Sequence, residues 1–355
     1  MVATIRITLA ACLSSGCFSP VGNGGETDTS TGSNPGTSTG TATATAGETD
    51  TPTTGESSQC TWRSLEISGP PARSEHSMVY DSDRDQVILF GGVAEGAELN
   101  DLWTFAGEQW TQTNTTAPPT PRRSHAAAYD PMGKVMVVFG GATGQQDSIM
   151  ALGDTHHYDP VLKAWKPMPS TKTPMPRYGA SMAHYADRVL LFGGNLNPLT
   201  TDSEHWSWDG NNWTPLDATN NTRPAARSRH MVALDSSGGK LLLYGGCKEG
   251  SLCVFNTPTK AYNDTWSWDG VQWKLLSETA GDGQLGAMAL QSSNDKLYRF
   301  GEHDTFLWEG GMWSPPRPTD LISGLDFAVA DHSIGLIRFG GNIANQNTWV
   351  LDCPP

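Results

Sequence analysis

Asn263-Asp-Thr-Trp-Ser-Trp-Asp-Gly-Val-Gln-Trp273 decides the fold of this 355-residue chain. Trp266 and Trp268 alternate, so both point to one face of a strand, with Thr265 and Ser267 on the other. Asp269-Gly270 supplies a turn in which glycine readily takes positive φ, and Trp273 opens the returning strand. The same hairpin recurs as Asp202-Ser-Glu-His-Trp-Ser-Trp-Asp-Gly-Asn-Asn-Trp213 and as Asn100-Asp-Leu-Trp-Thr-Phe-Ala-Gly-Glu-Gln-Trp110. Looser copies run from Asp154 to Trp165 and from Asp304 to Trp313. A unit returning every ~50 residues implies a repeat architecture.

Composition agrees. With 39 Gly, 23 Pro, 13 Trp and only 17% charged residues, the chain reads as all-β. Net charge is −14, of which the first 59 residues carry −4 and the rest −10. An acidic chain with no Lys/Arg cluster is a poor match for nucleic acid or an anionic membrane surface. No apolar run approaches the ~18 residues needed to span a bilayer.

Residues 1–17 read as an export signal, with Arg6 as the positive region and Ile7 to Leu13 as a short apolar core. The stretch resembles a bacterial lipoprotein signal. Leu13-Ser-Ser-Gly-Cys17 places the acylation site at Cys17, and Leu9-Ala-Ala-Cys12 offers Cys12 as the alternative. Residues 18–59 are Thr, Gly, Ser, Ala and Pro with scattered acids and no Lys or Arg. Such a segment buries too little apolar surface to offset chain entropy, and as a disordered tether it spans about 35 Å. The expected location is the bacterial cell envelope, as an outer-membrane lipoprotein, or the extracellular space, with the membrane touched only through the lipid.

From residue 60 to 355 each repeat holds four strands. The first follows a Pro-rich entry, as in Arg73-Ser-Glu-His-Ser-Met-Val-Tyr80. The second is almost wholly apolar, Val87-Ile-Leu-Phe-Gly-Gly92, as a strand buried on both faces should be. It recurs as Val135 to Gly141, Arg188 to Gly194, Lys240 to Gly246, Leu297 to Gly301 and Gly335 to Gly341. The Trp hairpin completes the unit.

Phe-Gly-Gly closing a buried strand, followed by Asn-Asp-x-Trp and a further Trp, resembles the kelch repeat, and the Trp-Ser-Trp-Asp-Gly-x-x-Trp form resembles bacterial kelch proteins. The resemblance covers Cys60 to Cys353 and implies a six-bladed β-propeller, a fold of the galactose-oxidase central-domain type. The sixth unit ends on a third strand, Asn347 to Asp352, whereas Thr61-Trp-Arg-Ser-Leu65 is a fourth strand with no third before it. The last blade is therefore expected to combine both ends of this region, which removes open edges. Aligned on unit four, Cys353 and Cys60 fall at neighbouring turn positions, so a Cys60–Cys353 disulfide is expected. Cys247 and Cys253, together in one loop, are expected to form a second. An exported compartment permits both.

In such propellers the first strand lines the channel, and the loops between second and third strands share a face with the linkers. Ala142 to Gly153 and Cys247 to Tyr262 are long loops suited to binding. The sharpest constellation is Arg-x-x-His: Arg73/His76, Arg122/His125 and Arg227/His230, with Arg177 followed by Ala180. Four guanidiniums near one channel mouth suit a carboxylate or sulfate, while repetition also suits a role holding each blade's own loop carbonyls. Units five and six lack the pair, with Gln284/Ala287 and nothing recognisable near Leu325.

Other candidates fail. Asp81-Ser-Asp-Arg-Asp85 lacks the Gly and Glu of a calcium loop and reads as a solvated hairpin turn. His156 and His157 face opposite ways on a strand and cannot share a metal. His205 occupies the place of Thr265 and is expected at the surface. The repeated Trp residues are expected to pack blades together. No hydrolase elbow, zinc motif or phosphate loop is present, and no catalytic residue, metal or cofactor is expected. The expected function is a surface-tethered module binding a protein or glycan on the loop face. The resemblance also admits an epimerase acting on sialic-acid-like sugars and, less well, a copper oxidase, which needs a Tyr/His set and a modified Cys.

Overall fold

The computed structural model describes residues 60–144, 148–216, 222–248, 261–278, 286–301, 304–315, 317–318, 327–341 and 347–352. The chain divides into Met1–Gly55 and Glu56–Pro355. The expected signal, Cys12, Cys17 and the tether lie outside the described residues, as do Cys253 and Cys353. No helix among the described residues is long and apolar enough to cross a membrane.

The described chain is all strand and turn, built as six antiparallel four-stranded blades. Blade 1 comprises Ser77–Asp81, Gln86–Phe90, Leu102–Ala106 and Gln109–Thr113. Blade 2 comprises Ala126–Asp130, Val135–Thr143, Met150–Asp159 and Ala164–Pro167. Ser181–Tyr185, Arg188–Phe192, His205–Trp208 and Trp213–Pro215 form blade 3. Blade 4 is Met231–Asp235, Lys240–Cys247, Ala261–Trp268 and Trp273–Ser277. Blade 5 is Ala287–Gln291, Lys296–Phe300, Asp304–Glu309 and Met312–Trp313, with Arg317–Pro318 paired beside its third strand. The first strands of successive blades neighbour one another in a closed ring.

Blade 6 combines Ala328–Ala330, Leu336–Phe339 and Thr348–Asp352 with the early strand Thr61–Leu65. Thr61 lies opposite Asp352 and Leu65 opposite Thr348, so the ring closes by hydrogen bonds between distant parts of the chain. Cys60 and Cys247 are each disulfide-bonded.

Six apolar clusters fill the six inter-blade interfaces. The second strand feeds two of them by alternation: Val87 and Leu89 pack toward blade 6, Ile88 and Phe90 toward blade 2, all fully buried. Trp266, Trp268 and Trp273 join Leu190 and Phe192 of blade 3 in a single cluster. The hairpin that carries them turns as expected, with Trp268 opposite Trp273 and Asp269 Oδ1 accepting the Val271 and Gln272 amides at 2.9 Å.

The Gly-Gly at the end of the second strand packs tightly against the linkers entering its own and the following blade. Gly91 and Gly92 take φ of 65° and 96°, the left-handed region that favours glycine. A Cβ at Gly91 would sit 2.9 Å from the Arg122 carbonyl of blade 2, and one at Gly92 would sit 2.7 Å from the Ser74 carbonyl. Only glycine fits both demands.

Two expectations are corrected here. Much of Ala142 to Gly153 is a continued ladder rather than a loop, with Thr143 opposite Met150 and Gly141 opposite Leu152. In blade 5, Ala287 pairs with Phe300 as Ser77 pairs with Phe90. The His position is therefore Gly286, one residue earlier than the sequence alignment gave, and Gln284 lies outside the described residues. The corresponding residue of blade 6 is Phe327, by the pairing of Ala328 with Phe339.

Candidate functional site

The four repeated arginines are spent inside their own blades. Arg73 donates through Nε to the Pro71 carbonyl at 3.2 Å and through Nη1 to the Gly91 carbonyl at 3.0 Å. Its fork closes on Asp101, with Nη1–Oδ1 at 2.6 Å and Nη2–Oδ2 at 2.8 Å. Arg122 repeats this with the Thr120 and Gly140 carbonyls and Asp154, and Arg227 with the Ala225 and Gly245 carbonyls and Asp264. Arg177 uses the Met175 and Gly193 carbonyls with Glu204 and Asp202. All four side chains are 0% accessible.

The carboxylate also accepts the indole N–H two residues on: Trp103 to Asp101 at 2.7 Å, Trp206 to Glu204 at 3.0 Å, Trp266 to Asp264 at 2.7 Å. In blade 2, His156 takes the indole's place against Asp154. Burial pulls the Asp101 carboxyl up, but the Arg73 hydrogen bonds and charge, with Trp103, hold it below the usual range. This joins the repeated arginine to the carboxylate and the ring two residues beyond it as one device in each of blades 1 to 4. It also corrects the placing of Arg73, Arg122, Arg177 and Arg227 at the channel mouth, because each guanidinium is paired with a carboxylate and its side chain is 0% accessible, out of reach of a ligand.

The histidines do face inward, and they pack against the preceding blade. His76 meets Phe339, His125 meets Phe90 and His230 meets Phe192, edge to face at ring separations of 5.8, 5.2 and 5.4 Å. Burial first, then the neighbouring arginine charge, pushes each imidazole down to about 3, so all three are neutral at pH 7. His125 Nε2 hydrogen-bonds Ser77 Oγ at 2.7 Å.

His205 corrects another expectation. It is 4% exposed, and its Nδ1 accepts the Trp273 indole at 3.3 Å. The place it shares with Thr265 is the acceptor for the next blade's outer tryptophan. Thr348 serves Trp110 at 2.7 Å, Thr155 serves Trp213 at 2.9 Å and Thr265 serves Trp313 at 3.1 Å. Blade 1 has Leu102 there, and the Trp165 N–H it faces has no hydrogen-bond partner among the described residues. His156 and His157 part as expected, the latter accepting from Trp208 at 3.0 Å. Asp81 opens its expected turn but is buried, accepting from the Asp83 amide, Arg84 and Gln86.

What lines the channel mouth is the residue just before each histidine position. Glu75, Ser124, Gly179 and Arg229 all take left-handed φ, between 50° and 65°. Their backbones form a belt: Ser124 donates to the Glu75 carbonyl, Gly179 to Ser124 and Arg229 to Gly179, at 2.8, 2.8 and 2.7 Å. Three of the four are not glycine, and such strain gathers where function over-determines the backbone. Glu75 of blade 1 reaches across the mouth to Arg229 of blade 4 at 3.5 Å, while also contacting Arg123 at 3.6 Å and Ser124. Beneath lies a cavity of about 160 Å³ with His76, His125 and His230 in its wall. These belt residues escaped the sequence reading because they are the variable letters of Arg-x-x-His. Among the described residues no group of three His, Cys, Asp or Glu is placed to hold a metal.

Comparison with known proteins agrees with this architecture. The profile of the KLHDC2/KLHL20/DRC7 Kelch-repeats domain matches residues 48–194 and 103–223. Adagio-like protein 1 of Oryza sativa subsp. japonica is 30% identical over 244 residues, 62% of this chain and 37% of that protein. Tip elongation aberrant protein 1 of Schizosaccharomyces pombe is 28% identical over 244 residues, 61% of this chain and 19% of that protein. The chain thus spans well under half the length of these relatives. It carries a Kelch-repeat domain, and its described part is a six-bladed propeller of four-stranded blades.

Proposed function

We propose that the protein is a tethered interaction module whose propeller binds a protein ligand at the channel mouth. The observation that carries this reading is the belt of Glu75, Ser124 and Arg229 in left-handed conformation. Its side chains differ from blade to blade, whereas the buried apolar second strands that fill the interfaces recur in all six blades. Variable side chains on a rigid ring are the usual form of a recognition surface. A glycan-binding module is the nearest competing form. An epimerase-like reading loses its support, because the four arginines that would have held a sugar carboxylate are paired within the blades.

The tether belongs to the same proposal: export by residues 1–17, acylation at Cys17 rather than Cys12, and closure by Cys60–Cys353 and Cys247–Cys253 disulfides. Two disulfide-bonded cysteines favour an oxidising compartment. The test is selection of a displayed peptide library and a glycan array against the full chain, repeated with Arg229→Ala and Arg123→Ala. Peptides whose binding falls in both variants at an unchanged melting temperature support the reading. Selected peptides indifferent to both variants refute it, and binding of glycans alone replaces it with the glycan module.

A further inference from the structure

The propeller has a second concavity, on the face opposite the channel mouth, in the groove between blades 4 and 5. Its volume is about 590 Å³, within the roughly 300–1,000 Å³ of small-molecule sites. The repeats show why it is open. In the groove between blades 1 and 2, Arg84 fills the space, bonded to Asp81 and reaching the Tyr129 hydroxyl of blade 2 at 3.5 Å. Between blades 2 and 3 the filler is His157, bonded to Trp208 across the groove at 3.0 Å. Between blades 3 and 4 it is Tyr185, whose hydroxyl donates to the Gly239 carbonyl of blade 4 at 3.1 Å. By strand register the same three places in blade 4 are Gly238, Ser267 and Asp235. Gly238 and Ser267 supply no filler, Asp235 reaches only the Trp308 indole across the groove at 3.1 Å, and all three line the cavity that stays open.

Charged and apolar residues share its lining. Trp308, Leu242 and Leu276 are its large apolar residues, and Lys240 and Lys296 line it together with Asp235, Asp295 and Glu309. Carboxylates outnumber ammonium groups, so the site does not favour an anion. Groups that accept from an ammonium and donate to a carboxylate at once are hydroxyls, and a ring with an apolar C–H face suits the apolar residues. Asp235 is held for this: Ser237 and the Gly238 amide bond Oδ1 at 2.6 and 3.2 Å, and the Trp308 indole bonds Oδ2 at 3.1 Å.

We propose that the groove between blades 4 and 5 is a binding site for a neutral mono- or disaccharide, separate from the channel mouth and independent of what binds there. The molecule supplies its own blocking variants. Gly238→Arg copies the filler of blade 1 and Ser267→His that of blade 2. Glucose, galactose, N-acetylglucosamine, maltose and cellobiose, with glucuronic acid as the charged control, would be titrated into the full chain. Saturation-transfer NMR and tryptophan fluorescence give the readout, and melting temperature checks the fold of each variant. The expected result is that at least one neutral sugar binds, that both blocking variants weaken it by about tenfold or more, and that Arg229→Ala leaves it unchanged. The proposal is overturned if no neutral sugar binds, if only glucuronic acid does, or if folded blocking variants bind as well as the parent.

Discussion

Replacing Asp264 with Ala removes both oxygens that hold Arg227, at 2.6 and 2.8 Å, and the acceptor of the Trp266 indole at 2.7 Å. The guanidinium is then left with the Ala225 and Gly245 carbonyls and the face of Tyr262, 3.9 Å away. Its side chain is 0% accessible, so water does not reach it, whereas Asp264 is 16% accessible. Breaking a buried pair from one side costs about 3–5 kcal/mol. Partial access at the carboxylate end places the expected loss near the bottom of that range, about 3 kcal/mol. For a domain of this size that lowers the melting temperature by about 6–12 °C. Asp264→Asn keeps an acceptor and is expected to cost about half as much. Adding Arg227→Met to Asp264→Ala removes the stranded charge, so the double variant should recover at least about 1 kcal/mol relative to the sum of the singles. Urea and thermal unfolding of the four proteins measure this cycle. A loss below about 1 kcal/mol for Asp264→Ala, or strictly additive singles, would refute the account of the arginines as internal struts.

Peptide mapping without reductant should recover Cys60 joined to Cys353 and Cys247 to Cys253, and Cys353→Ser should cost up to about 5 kcal/mol, the chain-entropy value for so long a loop; free thiols at either pair sink it. Stability should fall with acid well above the carboxylate range. His76, His125, His205 and His230 sit at about 3 when folded, lowered chiefly by burial, against 6.5 unfolded. The unfolded chain therefore takes up protons first as pH drops below 6.5, and the loss grows until pH 3. At pH 5.5 this approaches about 1.4 kcal/mol per histidine, and a urea midpoint unchanged between pH 7.5 and 5.5 would contradict it. Thr155→Val should cost about 1–3 kcal/mol by stranding the buried Trp213 indole N–H, with a cost near zero counting against the acceptor role.

The fold was legible because the interfaces repeat. An apolar second strand, a Gly-Gly and a Trp hairpin must recur wherever one blade meets the next, and recurrence is visible in sequence. Partnership across blades was not. Thr265 and His205 share a place in the repeat, but nothing local shows that the place is the acceptor for a tryptophan in the following blade. For the repeated arginines the expected hold on each blade's own loop carbonyls is met, but nothing local shows that Asp101, Asp154, Glu204 and Asp264 close on the guanidiniums from 27 to 37 residues further along the chain. In blade 5 the absence of both anchor residues let the alignment slip by one, and only the pairing of Ala287 with Phe300 restores it.

These misses have one cause, and it bears on where the protein recognises other molecules. A repeat makes its constant residues conspicuous, yet in a propeller the constant residues are consumed by the scaffold. Arg73 and its counterparts are fully buried and paired with carboxylates of their own blades, and the histidines are neutral and packed on phenylalanine. The freedom lies at places where the blades disagree: Glu75, Ser124, Gly179 and Arg229 around the channel mouth, and Arg84, His157 and Tyr185 against Gly238, Ser267 and Asp235 on the opposite face. At the mouth the disagreement creates charge on a strained belt. In the groove it creates an opening where the three preceding grooves are bridged by Arg84, His157 and Tyr185. A chain that keeps six interfaces alike while varying these few positions holds its architecture and its recognition chemistry on separate sets of residues, so substitutions in one set should move stability with little change in binding, and substitutions in the other the reverse.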